Sequence, residues 1–564
     1  METMMEKRKM TVSFLILSLA FLLLCIRCFY GFDWSDETYY LALPYRFVLG
    51  DQFFLHSWDI HQLSAMLLVP FVRLYTFIVG STEGILLSFR LLYTVLQFII
   101  AITAFSVFKK HFSIVASLLS SLSYLLFTPA QIQNFSYNTL SLSFLFLAIL
   151  SFLSHKKGGF LFLSGIFFAL AVQCYPFLVI FVPVIMVPLF FLFLRGCDKR
   201  KVVFSLLLFA GGCLLVLALL LCNLVMHSSF SALIHHLPYL ITDPEHPSRG
   251  LLQPLYAYFF SYFSNYAFLL IISGASIASF LLLKQILPEG RRLLLRKLLF
   301  VIASALLLLE IFRAFFMKDI GVNRVHLFLI PFALTGPLFF LACKDFRHHF
   351  TPFLLWGSGI LFSLAVSYGT NNGYSFFSFP FIFCTVAVIL LISQIIPELF
   401  PNSIPLRAAF PLFLCCFIAL IGTLRITIVY RDGPVSSLTA QLQHGPGAYL
   451  FTTQEQQQKY QSIIHAFSYL PEEGTVLFTK LLPFGYLATT AAPASPSIWR
   501  TPLESERLLQ YYRLHPEKLP DCVFVVKDGY GITNEHNPLS VFFEEYLEDF
   551  EAINLDSATV YIKK

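Results

Sequence analysis

The sequence predicts an all-α polytopic membrane protein of about 13 transmembrane helices, followed by a small C-terminal extracytoplasmic α/β domain. Three observations predict it. Of 564 residues 57% are hydrophobic and only 12% charged, with 65 Phe and a mean hydropathy of +0.75; a soluble chain of this length could not cover so much apolar surface. Apolar runs near the ~20 residues that cross a bilayer recur between residues 10 and 428. Past about Tyr430 the composition turns polar, and Gly445, Pro446 and Gly447 read as linker punctuation. The chain therefore divides into a transmembrane part at 1–429 and a soluble part at 430–564. A net charge of +6 is too small to point to nucleic acid.

Lys7, Arg8 and Lys9 place the N-terminus in the cytoplasm, because short cytoplasmic segments are the ones enriched in Lys and Arg. The first apolar run, 10–30, opens like a signal peptide, but Arg27 and two Cys stand where a small-residue cleavage site would be. It reads as an uncleaved span, and its Cys25-x-x-Cys28 reads as packing rather than redox or metal chemistry. A first outer loop follows at 31–83. Within it, 63–79 is read as a juxtamembrane helix: as a full span it would put Lys109, Lys110, Lys156 and Lys157 outside, whereas along the surface it leaves all four inside.

Further spans are then expected at 85–108, 112–128, 139–154, 160–175, 177–194, 202–226, 254–283, 298–316, 326–343, 350–368, 376–396 and 408–428. The cytoplasmic loops collect Arg195, Lys199, Arg200, Lys201, Lys284, Arg291, Arg292, Arg296, Lys297, Lys344 and Arg347; the outer loops hold Arg46, Arg73, Arg249, Lys318 and Arg324. That asymmetry sets the N-terminus in and the C-terminus out. With no eukaryotic-type organelle signal, a multi-pass position in a bacterial plasma membrane is expected. The soluble part carries short β-branched runs (475–479, 523–526, 559–562) between helical patterns at 453–469, 503–513 and 539–550, hence the α/β reading. It holds one cysteine, Cys522, so no disulfide forms within it, and nothing in the sequence has the spacing of a zinc site.

The stretch 31–69 carries the densest chemistry. Asp33, Asp36, Glu37, Arg46, Asp51, His56, Asp59 and His61 fall there, interleaved with Trp34, Tyr39, Tyr40, Tyr45 and Trp58. A solvated loop along a membrane surface would account for the aromatic interleaving. Carboxylates at an apolar boundary, however, have perturbed ionisation and are candidates for function.

Asp36-Glu37-Thr38-Tyr39-Tyr40 resembles the DE-x-Y signature in the first outer loop of lipid-sugar-dependent glycosyltransferases, the membrane class often called GT-C. Protein O-mannosyltransferases and aminoarabinose transferases belong to it. Asp59-Ile60-His61-Gln62-Leu63-Ser64-Ala65 stands where many members carry D-x-H-P-P-L-A, with Gln62 and Leu63 replacing the two prolines. The resemblance covers roughly the first 160 residues by motif and the remainder by topology. It implies an enzyme that takes a sugar from a polyprenyl-phosphate donor and transfers it to a hydroxyl acceptor (protein, glycan or lipid) at the outer face, with inversion.

Such a transfer needs a base for the acceptor proton and positive charge or a metal for the departing phosphate. The resemblance puts the family's catalytic acidic residue on Asp36, as the base, which would also be the residue to hold a divalent cation; no cofactor is otherwise implied. Glu37 then orients Asp36, contacts the sugar or is solvated, and Asp59 and His61 are the second acid and imidazole. Tyr39 belongs to the same signature. Where the family offers a second acid after the third span, this chain has Asn138 in 131–140, a poor ligand for a hard cation that equally suits a helix N-cap. Met317-Lys318-Asp319-Ile320-Gly321-Val322-Asn323-Arg324-Val325-His326 resembles the family's basic R-x-x-Y element, with His326 for Tyr, so Arg324 and Lys318 are the phosphate candidates, with Arg249 as weaker support. His227, His235, His236 and His246, near Arg249, lack tight ligand spacing and are expected at the surface. The rival readings are a transporter or flippase of lipid-linked glycans and a non-catalytic member of the same class. A transporter would show repeated halves and ionisable groups at the midplane, whereas this sequence shows no repeat and concentrates its ionisable groups in an outer loop, with Glu310 and Arg313 three apart on one helical face within a span.

Overall fold

The computed structural model describes residues 2–154, 158–184, 199–227, 230–241, 250, 252–317, 323–344, 349–370, 372–479, 481–499, 505–527, 530 and 541–564. It is mostly helical. The helices are α1 (Glu2–Arg27), α2 (Asp36–Val48), α3 (Gln62–Val79), α4 (Ile85–Phe108), α5 (Ile114–Leu125), α6 (Tyr137–Leu153), α7 (Gly158–Cys174), α8 (Lys199–His227), α9 (Phe230–Ile241), α10 (Leu252–Ile286), α11 (Glu289–Phe316), α12 (Arg324–Ala342), α13 (Phe350–Tyr368), α14 (Gly373–Phe377), α15 (Ile382–Leu399) and α16 (Ile404–Thr427). Among the described residues ten helices are long and apolar enough to cross a membrane.

Nine of the expected windows are among those ten, and the tenth is α3. Three windows contain shorter helices, α5, α6 and α7, of 12, 17 and 17 residues. Proline explains two of these. Thr128 precedes Pro129 and Tyr175 precedes Pro176, and both are held out of the helical region, so neither α5 nor α7 continues. The window at 177–194 runs largely outside the described residues. α3 meets the length of a span while exposing Phe71, Leu74, Phe77 and Ile78. The interior is built around α12 and α15, whose apolar side chains are buried on nearly every face, as expected of helices enclosed by other helices.

The C-terminal part pairs β1 (Ala440–Gln441) with β2 (Phe451–Thr452) and adds α17 (Gln454–Phe467), α18 (Pro483–Ala488), α19 (Glu506–Leu514) and α20 (Val541–Tyr546). Its main sheet comprises β3 (Thr475–Phe478), β4 (Ala492–Pro493), β5 (Cys522–Val526), β6 (Phe550–Asn554) and β7 (Ala558–Lys563), in the order β4-β3-β5-β7-β6. β4, β3 and β5 run parallel, while β7 pairs antiparallel with both β5 and β6. All four residues of β3 are buried, as a strand covered on both faces requires.

This sheet-bearing part is bound to the first loop. The amide of Gly31 donates to Phe451 O at 2.7 Å, and the amide of Phe451 donates to Phe29 O at 2.7 Å, so the exit of α1 runs along β2 as a strand would. Gly31 has φ +94°, and a Cβ there would meet Val429 Cγ1 at 2.2 Å; only glycine fits. Arg46 and Asp51 form a buried ion pair at 2.5 Å, Arg46 donates to Ser495 O at 2.7 Å, and Lys518 closes on Asp51 from the C-terminal side.

The orientation rests on the cation count alone. Cys522 is buried and burial pushes its thiol up to about 12, so it cannot report topology with a thiol reagent. Glu473 is exposed. In cells carrying Glu473→Cys and no other reactive cysteine, a membrane-impermeant maleimide should label the protein before lysis. Labelling only after lysis would reverse the topology.

Candidate functional site

Asp36 opens α2 within a few residues of the end of α1. The helix starts there because Asp33 caps it: one oxygen accepts from the amide and hydroxyl of Ser35 at 3.0 and 2.7 Å, and the other accepts from the amide of Glu37 at 2.8 Å. Asp33 is fully enclosed. Burial and the nearby Asp36 push its carboxyl up to about 7, against the pull of Arg431 and of the amide bond.

Two residues from the far end of the chain meet Asp36. The Tyr430 hydroxyl donates to Asp36 Oδ2, and the Arg431 guanidinium approaches the same oxygen at 3.3 Å while also donating to Ser35 Oγ. Arg431 lies 5.2 Å over the Tyr430 ring and is held in a left-handed backbone conformation, φ +51°. Its side chain is 42% exposed, whereas that of Asp36 is 18% exposed. Burial raises the Asp36 carboxyl above the ordinary range; Arg431 and the Tyr430 hydrogen bond oppose it, and Glu37 adds to it. The result is a nearly enclosed acid held by a cation that still reaches solvent.

Aromatic rings line the same region. Tyr40 and Tyr137 both lie within electrostatic range of Asp36, with ring centroids 5.9 Å apart. His61, just before α3, stacks flat on Tyr137 at 3.7 Å. Tyr39 packs edge-on against Trp499 at 5.2 Å and against His61 at 6.4 Å. The loop signature and the C-terminal part thus form one aromatic wall.

Glu37 has a different environment from its neighbour. It grips the Arg90 guanidinium of α4 with both carboxylate oxygens, Nε to Oε1 at 2.9 Å and Nη2 to Oε2, in a buried bidentate pair. Arg90 also donates to Cys28 O at 2.9 Å. Arg27 of α1 and Arg425 of α16 lie close enough to Arg90 and to each other for mutual repulsion, and all three are buried. Three guanidiniums therefore surround one paired carboxylate. Arg27 is met by the carbonyls of Tyr30 and Ile428. Arg425, 1% exposed, has one long bond to Gln131 O at 3.5 Å, and its Nε has no hydrogen-bond partner; Gln131 Oε1 and Asn134 Nδ2 are buried without partners as well. Such unmet buried groups are costly and call for an explanation.

The remaining sequence candidates fall in three places. Asp59 is buried and binds Ser57 Oγ at 3.2 Å and Ser497 Oγ at 2.6 Å, with the Ile498 amide at 3.4 Å, so it fastens the loop to the C-terminal part. Asn138 is buried on α6 beside Tyr137, and its Oδ1 lacks a partner. It is not the N-cap: Ser136 caps α6, in a reciprocal box with Thr139. Arg324 starts α12 half-buried and donates to Phe315 O at 2.8 Å. That helix start reaches the arginine cluster through the turn Pro129–Gln131, whose Ala130 amide donates to His326 Nε2 at 3.0 Å. Lys318 and Arg249 lie outside the described residues.

Sequence reasoning missed Tyr430 and Arg431. The available signal was positional: Arg425 and Arg431 bracket the end of the last apolar run, where the cation count had placed the outer face. No known protein-family model matches the chain, and no curated protein matches it at a significant level.

Proposed function

We propose that this protein transfers a sugar from a polyprenyl-phosphate donor to a hydroxyl acceptor at the outer face of a bacterial plasma membrane, with inversion at the anomeric carbon. One observation supports this reading above the others: an enclosed carboxylate, Asp36, lies beside a solvent-reaching arginine and next to a buried excess of guanidinium charge. A lipid-borne phosphate leaving an anomeric carbon requires that pairing of base and cation. Asp36 accepts the acceptor's hydroxyl proton as the oxygen attacks. Arg431 draws the phosphate to the site, and Arg324, at the neighbouring helix start, completes its contacts.

A divalent cation does not fit the donor set around Asp36. Arg431 already occupies the position a metal would take on Oδ2, Glu37 is committed to Arg90, Asp33 caps α2, and Asn138 is an amide. The arginines supply the positive charge instead, and no step here runs through a metal.

The purified protein, incubated with a panel of polyprenyl-phosphate sugars, should consume at least one of them in the presence of a hydroxyl acceptor. Binding of donors without consumption of any would favour a non-catalytic member of the class, and movement of intact donor across vesicles would favour a transporter. Arg324→Ala should weaken donor use strongly and Arg324→Lys should restore part of it, because the planar fork is lost while the charge remains. Unchanged donor kinetics in both variants would leave Arg324 as an interfacial anchor.

A further inference from the structure

Away from Asp36, three remote segments bring imidazoles together. His56 comes from the first loop, His236 from α9, and His515 from the end of α19, with Glu517 two residues on. The spacing of these histidines in sequence gave no sign of it, and His236, expected at the surface, is buried while its neighbour His235 is exposed. His236 Nε2 lies 3.1 Å from His515 Nε2. His515 Nδ1 lies 3.2 Å from Glu517 Oε1, and His56 Nε2 lies 3.7 Å from the same oxygen. One ligand atom from each of His56, His515 and Glu517 falls within 4.8 Å of the other two.

The hydrogen bonds constrain where the protons are when the rings are neutral. His236 Nδ1 is 2.8 Å from Ala232 O, a carbonyl that can only accept, so Nδ1 carries the hydrogen and Nε2 of a neutral ring is an acceptor. His515 Nε2, facing that acceptor, must then donate. This leaves a lone pair on His515 Nδ1 pointing at a carboxylate oxygen 3.2 Å away. Two acceptors at that distance repel unless a cation lies between them. A proton on one of the two imidazoles or on Glu517 is one remedy. A metal ion is another, and the convergence of a second imidazole, His56, on the same carboxylate oxygen favours it.

We propose that His56 Nε2, His515 Nδ1 and Glu517 Oε1 bind a divalent transition metal of the zinc class, in a site that pins the first loop to the C-terminal part. The donor set is the His₂-carboxylate type that zinc favours, and Zn–N bonds of about 2.0–2.1 Å in a tetrahedron set ligands about 3.3 Å apart. The pairs at 3.2 and 3.7 Å need little movement. Glu517 is 56% exposed, so the fourth position opens to water. His236 orients His515 through the shared proton, the role outer hydrogen-bond partners play around metals. His56 Nδ1 is approached both by the Gln52 amide at 3.1 Å and by Asp51 Oδ1 at 3.6 Å; ligation through Nε2 puts the proton on Nδ1, where Asp51 accepts it and the Gln52 contact is given up. Asp51 is itself kept ionised by Arg46 and Lys518.

Full-length protein purified without a histidine tag and stripped with chelator should take up one equivalent of Zn²⁺, and of Co²⁺ with a tetrahedral absorption spectrum, and its unfolding midpoint should rise on metal addition. His56→Gln and His515→Gln should abolish uptake. Glu517→Gln, at a half-exposed position that does not threaten folding, should weaken it at least tenfold. His236→Gln should weaken it about 10–100-fold through loss of the orienting bond. The proposal fails if the stripped wild type binds no Zn²⁺, or if Glu517→Gln and His515→Gln bind it as the wild type does.

Discussion

Asp36→Asn is expected to lower sugar transfer by at least about 10²–10⁴-fold, the usual worth of a positioned general base, while the lipid-linked donor still binds. The amide keeps the size of the side chain and can still accept from Tyr430, so α2, capped by Asp33, should form as before. The carboxylate acts only when ionised. Because burial holds it above the ordinary aspartate range, the rate should climb with pH through a midpoint higher than that of an exposed carboxylate. Arg431 favours the ionised form, so Arg431→Gln should move that midpoint up further. Transfer at near wild-type rate by Asp36→Asn would place the base elsewhere; Asp59, tied to Ser57 and Ser497, would be examined next.

Glu37→Gln should act on stability rather than on proton transfer. It would leave the Arg90 guanidinium buried without a counter-charge, beside Arg27 and Arg425, and breaking such a pair from one side costs about 3–5 kcal/mol. The unfolding midpoint in detergent should fall accordingly. Glu37→Gln combined with Arg90→Met removes both charges and should recover most of the loss. A Glu37→Gln variant as stable as the wild type would show that the surrounding carbonyls and amides carry Arg90 alone. An added oxyanion that selectively rescues Glu37→Gln would show that the cluster accepts phosphate-like ligands.

The helical character of residues 10–428 was legible because apolar length is a strong local signal. The shortness of α5 and α7 was legible too, in Pro129 and Pro176, but counting apolar residues in windows overrides such punctuation. Asp36 stood out because an acid following an apolar run is rare. Its partner did not: Tyr430 lies 394 residues away, and no pattern within either segment encodes their meeting. Glu37 was equally visible, yet nothing local distinguishes a carboxylate aimed at a substrate from one clamped on Arg90 of another helix. The His236–His515 contact spans 279 residues and was invisible for the same reason. Local rules find chemically unusual residues; tertiary contacts decide which of them are already spoken for.

The seam between the first loop and the C-terminal part also has a consequence for biogenesis. Arg46, Asp51 and Asp59 emerge early from the ribosome, whereas Ser495, Ser497 and Lys518, which complete their contacts, follow 438–467 residues later. At roughly 5–20 residues per second, the nascent loop waits on the order of 20–90 s with those groups unmet. Chains that stall or terminate before residue 495 carry an unfinished seam at the membrane surface, which quality-control proteases can recognise. The last segment to be made therefore completes the contacts of the first, and only chains translated past Lys518 close the seam in full.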